Sequence, residues 1–425
     1  MILDKTKYMP RVIDKAVKKH LQIFGAVCIE GPKWCGKTWT SSYHSNSEFF
    51  VADPTNNFQN RELANISPDM VLEGETPRLI DEWQEVPAIW DAIRYEVDKR
   101  ALKGQFILTG SSTPITKGIL HSGAGRISKL RMRTMSLYES GDSLGQFSLE
   151  DLCNDNITPS ITGDVDLKNL VEYILRGGFP SSINTPIENS YLLAESYIDA
   201  ILDDAQRVEG KKYDKHKMLL LLRSLARNES TTVTNRTLAK DIKEVDDETI
   251  DTDTIATYLD VFDRMFLLDN QLPFSTNIRS SVRVKQSEKR HFCDTSLVCA
   301  LLKLTPEKLI NDLNTLGFLF ESLCIRDLKI YSESFGATLY HYQGYDNKEI
   351  DAVIELQNGN WCAFEIKLGA NKIDEAASSL LSIHNSISKA GGIPPSVMCV
   401  ICGMSNAGYK RSDGVYVVPI TALKN

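Results

Sequence analysis

Short, continuous apolar runs punctuate the first third of the chain: Ala26-Val27-Cys28-Ile29, Leu79-Ile80 within Arg78–Glu82, and Phe106-Ile107-Leu108. Strands buried on both faces read this way, and here they alternate with segments of helical spacing, so the pattern predicts a mostly parallel sheet over residues 1–138. Met9-Pro10-Arg11 leads into a predicted helix over Val12–Leu21 ahead of the first strand. Residues 139–168 are polar and acidic without a steady period and read as a linker or long surface loop. Helices follow over Val171–Leu175, stopped by Gly177-Gly178, and over Tyr191–Leu202. Residues 216–290 then read as a winged helix. Its helices carry Leu219, Leu220, Leu222 and Leu225, then Thr237–Ile242, then Ile255, Tyr258, Leu259, Phe262 and Met265, with a β-ribbon running from Leu267–Phe274 back through Val282–Cys293. Residues 291–425 form the last α/β segment. The expected fold is α/β and multidomain, divided as 1–138, 139–215, 216–290 and 291–425.

Composition narrows this picture. A chain of 425 residues is too long for one compact core, and 42% apolar residues is ordinary for globular domains. The nine cysteines are scattered, and Cys399-Val400-Ile401-Cys402 lies in an apolar, strand-like run that favours the core over a metal. No apolar secretory region opens the sequence and no run of 18 apolar residues occurs in it, which predicts a cytoplasmic protein with no membrane partner. A net charge of −8 gives the whole chain no general affinity for nucleic acid. Residues 216–290 hold twelve basic and twelve acidic side chains, with Asp246-Asp247-Glu248, Asp251 and Asp253 near the start of the third helix. A duplex reader should be clearly basic there, so a structural or protein-contact role is expected, with Arg279, Arg283, Lys285, Lys289 and Arg290 of the ribbon as the phosphate-facing part.

The most specific chemistry sits after the first apolar run. Gly31-Pro32-Lys33-Trp34-Cys35-Gly36-Lys37-Thr38 is a complete G-x-x-x-x-G-K-T phosphate-binding loop between a strand and a potential helix. Its glycines let backbone N–H groups surround phosphates, Lys37 is expected to reach the β- and γ-phosphates, and the Thr38 hydroxyl to hold Mg²⁺. The second run ends in Asp81-Glu82. Asp81 is expected to hold Mg²⁺ through water, and Glu82 to polarise the attacking water. The third ends in Thr109-Gly110-Ser111-Ser112, where Thr109 or Ser111 could sense a γ-phosphate. Arg126, in Gly125-Arg126-Ile127, could neutralise charge that develops in phosphoryl transfer, in its own subunit or in a neighbour's.

These motifs resemble those of the prokaryotic AAA-type ATPases that carry a C-terminal domain of unknown function, itself suspected of being restriction-endonuclease-like. The resemblance rests on Gly31–Thr38, Leu79–Gln84, Leu108–Ser112 and Gly125–Ile127. Further along it rests on Gly177-Gly178-Phe179-Pro180, Cys293–Leu297, Gly317–Glu321 and Phe364-Glu365-Ile366-Lys367. It implies ATP, rather than another nucleotide, as the ligand.

The last segment offers a second constellation. Glu365 and Lys367 lie two apart on a strand and so share a face; Asp351 lies on the preceding strand, Glu349–Leu356, and Glu321 on an upstream helix. Glu321, Asp351 and Glu365 are expected to hold one or two Mg²⁺, with Lys367 stabilising the attacking hydroxide or the charge of the phosphorane, as in restriction-type nucleases. The hairpin register decides whether they can meet. A two-residue Asn358-Gly359 turn would put Asp351 on the face opposite Glu365, whereas a three-residue loop with Gly359 in the left-handed region pairs the two, and the latter is expected. Two functions follow: an ATPase that drives or gates a nuclease-like, DNA-associated domain, or a nucleotide-switched module acting on a protein partner through a catalytically silent C-terminal domain. DNA, a protein partner and a homo-oligomer all stay open.

Overall fold

The computed structural model describes residues 3–112, 121–208, 213–246, 250–277, 286–344 and 348–425. The chain divides into two compact units, one of residues 1–134 with 204–212 and 261–267, the other of the remainder.

The first unit is built on five parallel strands: β1 (Ala26–Glu30), β2 (Ser47–Phe50), β3 (Arg78–Asp81), β4 (Phe106–Gly110) and β5 (Ile127–Arg131). Their order is β2-β3-β4-β1-β5. The three apolar runs are β1, β3 and β4, the inner strands, and every residue of β3 and β4 is buried, as a sheet covered on both faces requires. The helix expected over Val12–Leu21 runs over α1 (Asp14–Ile23). Trp83, Trp90, Ile89 and Ile93 pack with Ile80 and Leu108 in one core cluster, the two indoles 4.8 Å apart. This order puts the carboxyl ends of β3, β4 and β1 side by side, where open α/β sheets bind ligands.

The second unit carries a mixed seven-stranded sheet of β7 (Ser160–Ile161), β8 (Thr338–Gln343), β9 (Glu349–Glu355), β10 (Trp361–Lys367), β11 (Val397–Cys402), β12 (Ala407–Lys410) and β13 (Tyr416–Pro419), ordered β7-β12-β13-β11-β10-β9-β8. A helix over Leu313–Ser334 precedes the antiparallel meander β8-β9-β10, and a helix over Ile373–Lys389 leads to β11, parallel to β10. Residues 139–168 are not a free linker. They carry β6 (Phe147–Ser148), paired in parallel with β14 (Leu423–Lys424), a short helix over Leu149–Cys153, and β7 on β12. Leu149 and Leu152 are fully buried, so three apolar side chains with Phe147 anchor a segment whose composition is otherwise polar.

The segment read as a winged helix holds helices over Lys215–Arg227, Asn235–Asp246 and Thr252–Arg264, followed by the bridges Leu268–Phe292 and Gln271–Lys289. Arg279, Arg283 and Lys285 lie outside the described residues, as do Asp247 and Glu248. Among the described residues no helix is long and apolar enough to cross a membrane.

Candidate functional site

The loop 31–36 leaves β1 and enters α2 (Lys37–Tyr43) through Gly36 at φ 104°, a left-handed conformation that favours glycine. Gly31 is required for a different reason: a Cβ there would stand 2.1 Å from the Met132 carbonyl oxygen. The Lys37 side chain is buried, and its Nζ donates to the carbonyls of Gly31 (2.9 Å) and Pro32 (2.7 Å), so the ammonium is stored inside the loop that would surround a phosphate. Arg11 braces the loop from outside, its Nη1 donating to the Cys35 carbonyl at 2.8 Å and its Nη2 to that of Arg133 at 2.9 Å. Lys33 is ion-paired with Asp204. Trp34 is 48% exposed at φ 62°. No side chain caps α2, which leaves the N–H groups of its first turn for a ligand.

Across the row of strand ends, the Thr109 hydroxyl donates to Asp81 Oδ1 at 2.7 Å and accepts from the Glu82 backbone N–H at 2.9 Å. Glu82 itself sits at φ 55°, a left-handed position that costs about 1–2 kcal/mol for a residue with a Cβ. Burial of Trp83 in the core behind it holds the chain in that turn. The Glu82 carboxylate is then gripped twice, by the Ser111 hydroxyl at 2.9 Å and by the Gln84 amide. Gln84 also reaches Ser111 at 3.3 Å. Strain and hydrogen bonds together fix the direction of this carboxylate.

Burial, with the charge of Glu82 added, pushes the Asp81 carboxyl up to about 6, against the opposing pull of Thr109, Thr38 and Lys37. A buried carboxylate with an unfavourable charge beside it and a hydroxyl on the next element is a fitting place for Mg²⁺. A raised carboxyl is protonated below its pKa, so the proton competes with the ion there. The apparent Mg²⁺ affinity is expected to fall ~tenfold per unit as pH drops below that value. Mg²⁺ titrations of the nucleotide-loaded protein on either side of it check this, and a pH-independent affinity would remove Asp81 from the role.

The structure brings Lys37, Thr38, Asp81, Glu82 and Ser111 to this one end of the sheet. It leaves Arg126 at the surface, 47% exposed in its side chain and ion-paired with Asp98 at 2.9 Å. Gln84 closes the Leu79–Gln84 motif, which assigned it no role, and Arg11, far from the loop in sequence, belonged to no motif of the site.

In the second unit the meander has the three-residue register. Cys362 pairs with Ile354 and Phe364 with Ala352, Leu356 N–H donates to the Asn360 carbonyl at 2.8 Å, and Gly359 has φ 84°. Continued by one pair, this register sets Asp351 opposite Glu365, on the face that Lys367 shares. Lys367 Nζ lies 3.1 Å from Asp351 Oδ2 and 2.6 Å from Glu365 Oε2. Burial pushes the Glu365 carboxyl up and the Asp351 charge adds to it. Asp351 is held below the usual carboxylate range because Lys367 and Lys289 outweigh its burial. Glu321 comes to the same cluster but is bound by Lys289, whose Nζ is 2.5 Å from its Oε1 and 3.9 Å from Asp351 Oδ1.

The metal site expected from Glu321, Asp351 and Glu365 together is therefore not formed: among the described residues no three donors of this kind are grouped to hold an ion. An ammonium intervenes at Glu321. Asp351 and Glu365 remain as a pair, and Mg²⁺ is commonly held by one or two carboxylates with water completing its shell. Lys289, expected on a phosphate-facing ribbon, is instead only 7% exposed within this cluster.

A buried relay behind Asp351 was not legible in the sequence. The Gln271 amide donates to the carbonyls of Asp351 and Tyr340 (2.8 Å each), and its Oε1 accepts from His291 Nε2 at 3.2 Å. That bond leaves His291 Nδ1 unprotonated in the neutral ring, 3.4 Å from Glu229 Oε1. Burial pushes Glu229 up to about 8 and drives His291 well below its ordinary value, so both are neutral near pH 7.

Comparison with known proteins separates the parts. Residues 24–141 match the AAA domain family. This match supports a P-loop ATPase domain over those residues, and ATP binding and hydrolysis are what that family suggests. Residues 167–308 match a domain of unknown function, DUF8612, and residues 316–423 another, DUF4143. Uncharacterized proteins of Mycobacterium tuberculosis and Mycobacterium bovis are each 24% identical over 355 residues, covering 83% of this chain and 72% of theirs. A solved walker-type ATPase of Pyrococcus abyssi aligns with a TM-score of 0.45 at 13% identity, over 70% of this chain and 97% of that one.

Proposed function

We propose that the AAA domain of this protein hydrolyses ATP with Mg²⁺ and that this hydrolysis gates a nuclease-like second unit. The observation that carries the first part is the fixed carboxylate of Glu82 beside Asp81, together with a Lys37 stored inside the loop. In this reading the loop 31–36 and Lys37 bind the phosphates, Thr38 and Asp81 hold the ion, Glu82 takes up a proton from the attacking water, and Ser111 keeps Glu82 oriented. Mg²⁺, when bound, neutralises charge on the β- and γ-phosphates. Arg126 would have to leave Asp98 to serve a nucleotide, in its own subunit or in a neighbour of a homo-oligomer.

For the second unit, the shared face of Asp351, Glu365 and Lys367 supports a restriction-endonuclease-like site for DNA. The helix, antiparallel meander, helix and parallel strand around it supply a rigid frame. The three helices over 215–264 support a winged-helix-like element with a structural or protein-contact role. The nine cysteines are buried and none is in a disulfide, which suits a reducing cytoplasm. A second reading, a nucleotide-switched module that binds a protein partner and cuts nothing, is favoured by the lysines already paired with every carboxylate of the cluster.

Cleavage of plasmid and single-stranded DNA with Mg²⁺ or Mn²⁺, with and without ATP, separates these readings. Cleavage lost in Asp351→Ala and also in Lys37→Ala is the expected result. ATP turnover with no cleavage under any condition would leave the binding module.

A further inference from the structure

We propose that Lys289 is a built-in cation of the second unit's acidic cluster. It fills the gap between Glu321 and Asp351, and so restricts the cluster to one divalent ion, at Asp351 and Glu365. The inference rests on the nuclease-like reading above and assigns the ion count of that same site.

The two lysines of the cluster are held very differently. Lys367 ends β10 with its side chain 30% exposed, and four methylenes let its ammonium swing away from Asp351 Oδ2 and Glu365 Oε2 when a stronger cation arrives. Lys289 cannot leave in this way. Its side chain is 8% exposed, and its backbone N–H and carbonyl are both paired with Gln271 at 2.9 Å. Gln271 is itself fixed to the Asp351 and Tyr340 carbonyls and to His291. Gln271 therefore ties the two together, its amide side chain holding the Asp351 backbone while its own backbone holds that of Lys289. An ammonium this buried is tolerable only against carboxylates, and Glu321 and Asp351 both face it.

A cavity of about 320 Å³ opens on this gap, lined by Lys289, Glu321, Asp351, Thr231, Phe318 and Tyr342. It has room for a hydrated ion once the ammonium is withdrawn, and Glu321 and Asp351 already supply two oxygen donors there. Lys289 thus occupies a place whose donors and access suit a second cation.

The test is Mn²⁺ binding to the nucleotide-free full-length chain, read from the electron paramagnetic resonance signal of free Mn²⁺, in an Asp81→Asn background that silences the AAA domain. One ion per chain is expected, lost on Asp351→Asn, with two ions per chain in Lys289→Ala. Lys289→Gln keeps the length of the side chain without its charge and is expected to admit the second ion as well, should Lys289→Ala not fold. Two Asp351-dependent ions with Lys289 intact would overturn the proposal and leave the nuclease-like reading standing, as would a single ion in both folded Lys289 variants. No Asp351-dependent ion at all would remove the nuclease-like reading, and this inference with it.

Discussion

Replacing Glu82 by glutamine is expected to leave ATP bound and to slow its hydrolysis by ~10²–10⁴-fold, the usual contribution of a positioned general base. The substitution keeps the length of the side chain, and an amide oxygen can still accept from Ser111 and Gln84, so the turn at φ 55° and the packing of Trp83 are left in place. What is lost is the charge that draws a proton from water. The loss should appear in kcat and spare the affinity for nucleotide, because Glu82 makes none of the contacts that hold Lys37 or the loop. Lys37→Ala should do the reverse in part, weakening phosphate binding itself. Phosphate release and equilibrium binding of a fluorescent ATP analogue measure the two quantities separately. Turnover unchanged in Glu82→Gln would strip that residue of its role and leave the water to be activated elsewhere.

The second large effect is on stability. Arg326, on the helix Leu313–Ser334, is buried between Asp327, 2.8 Å from its Nε, and Asp294, 3.5 Å from its Nη1. Each carboxylate has a further duty. Asp294 accepts from the Gly178 N–H at 2.8 Å and caps the helix Thr295–Leu301 through Ser296, and Asp327 accepts from the Leu137 N–H at 2.9 Å. Gly178 is obligatory here, since a Cβ would stand 2.1 Å from the Met135 carbonyl oxygen. This explains two motifs that carried the family resemblance without a function: Gly177-Gly178-Phe179-Pro180 and Cys293–Leu297 meet at one ion-paired joint inside the second unit. Arg326→Ala would strand two buried carboxylates, and its expected cost is ~3–5 kcal/mol. Urea unfolding followed by a probe in the second unit should show it. Arg326→Met combined with Asp294→Asn and Asp327→Asn should recover part of the loss, because no charge remains unpaired, while the single amide oxygen at position 294 keeps only one of the two backbone bonds that Asp294 accepts on its two oxygens. A change below about 1 kcal/mol in Arg326→Ala would mean that the joint carries no net electrostatic stabilisation.

The AAA domain was legible because its determinants are local. Eight consecutive residues specify the phosphate loop, and continuous apolar runs specify strands buried on both faces, whatever else the chain does. The hairpin register of β9 and β10 was legible for the same reason, since Gly359 fixes the loop geometry and the loop fixes which side chains share a face. Residues 139–168 were misread because strands of two residues have no period to detect, and their pairing partners lie far along the chain, β14 for β6 and β12 for β7. The full metal cluster was misread because spacing places a carboxylate on a face but says nothing of the cation that will sit beside it. Lys289 arrives from a segment distant from β9, by way of Gln271.

By itself, then, the sequence marked the phosphate-loop pattern and the carboxylates at the end of β3, the strands that carry them, and the face that Asp351, Glu365 and Lys367 share. The tertiary structure alone decided that Gln84 and Ser111 grip Glu82, that Arg126 pairs with Asp98, and that Lys289 stands between Glu321 and Asp351. The division follows from range. Backbone period and turn chemistry act over a few residues and are written in order, whereas charge compensation in a buried site depends on whichever groups folding brings within a few ångströms.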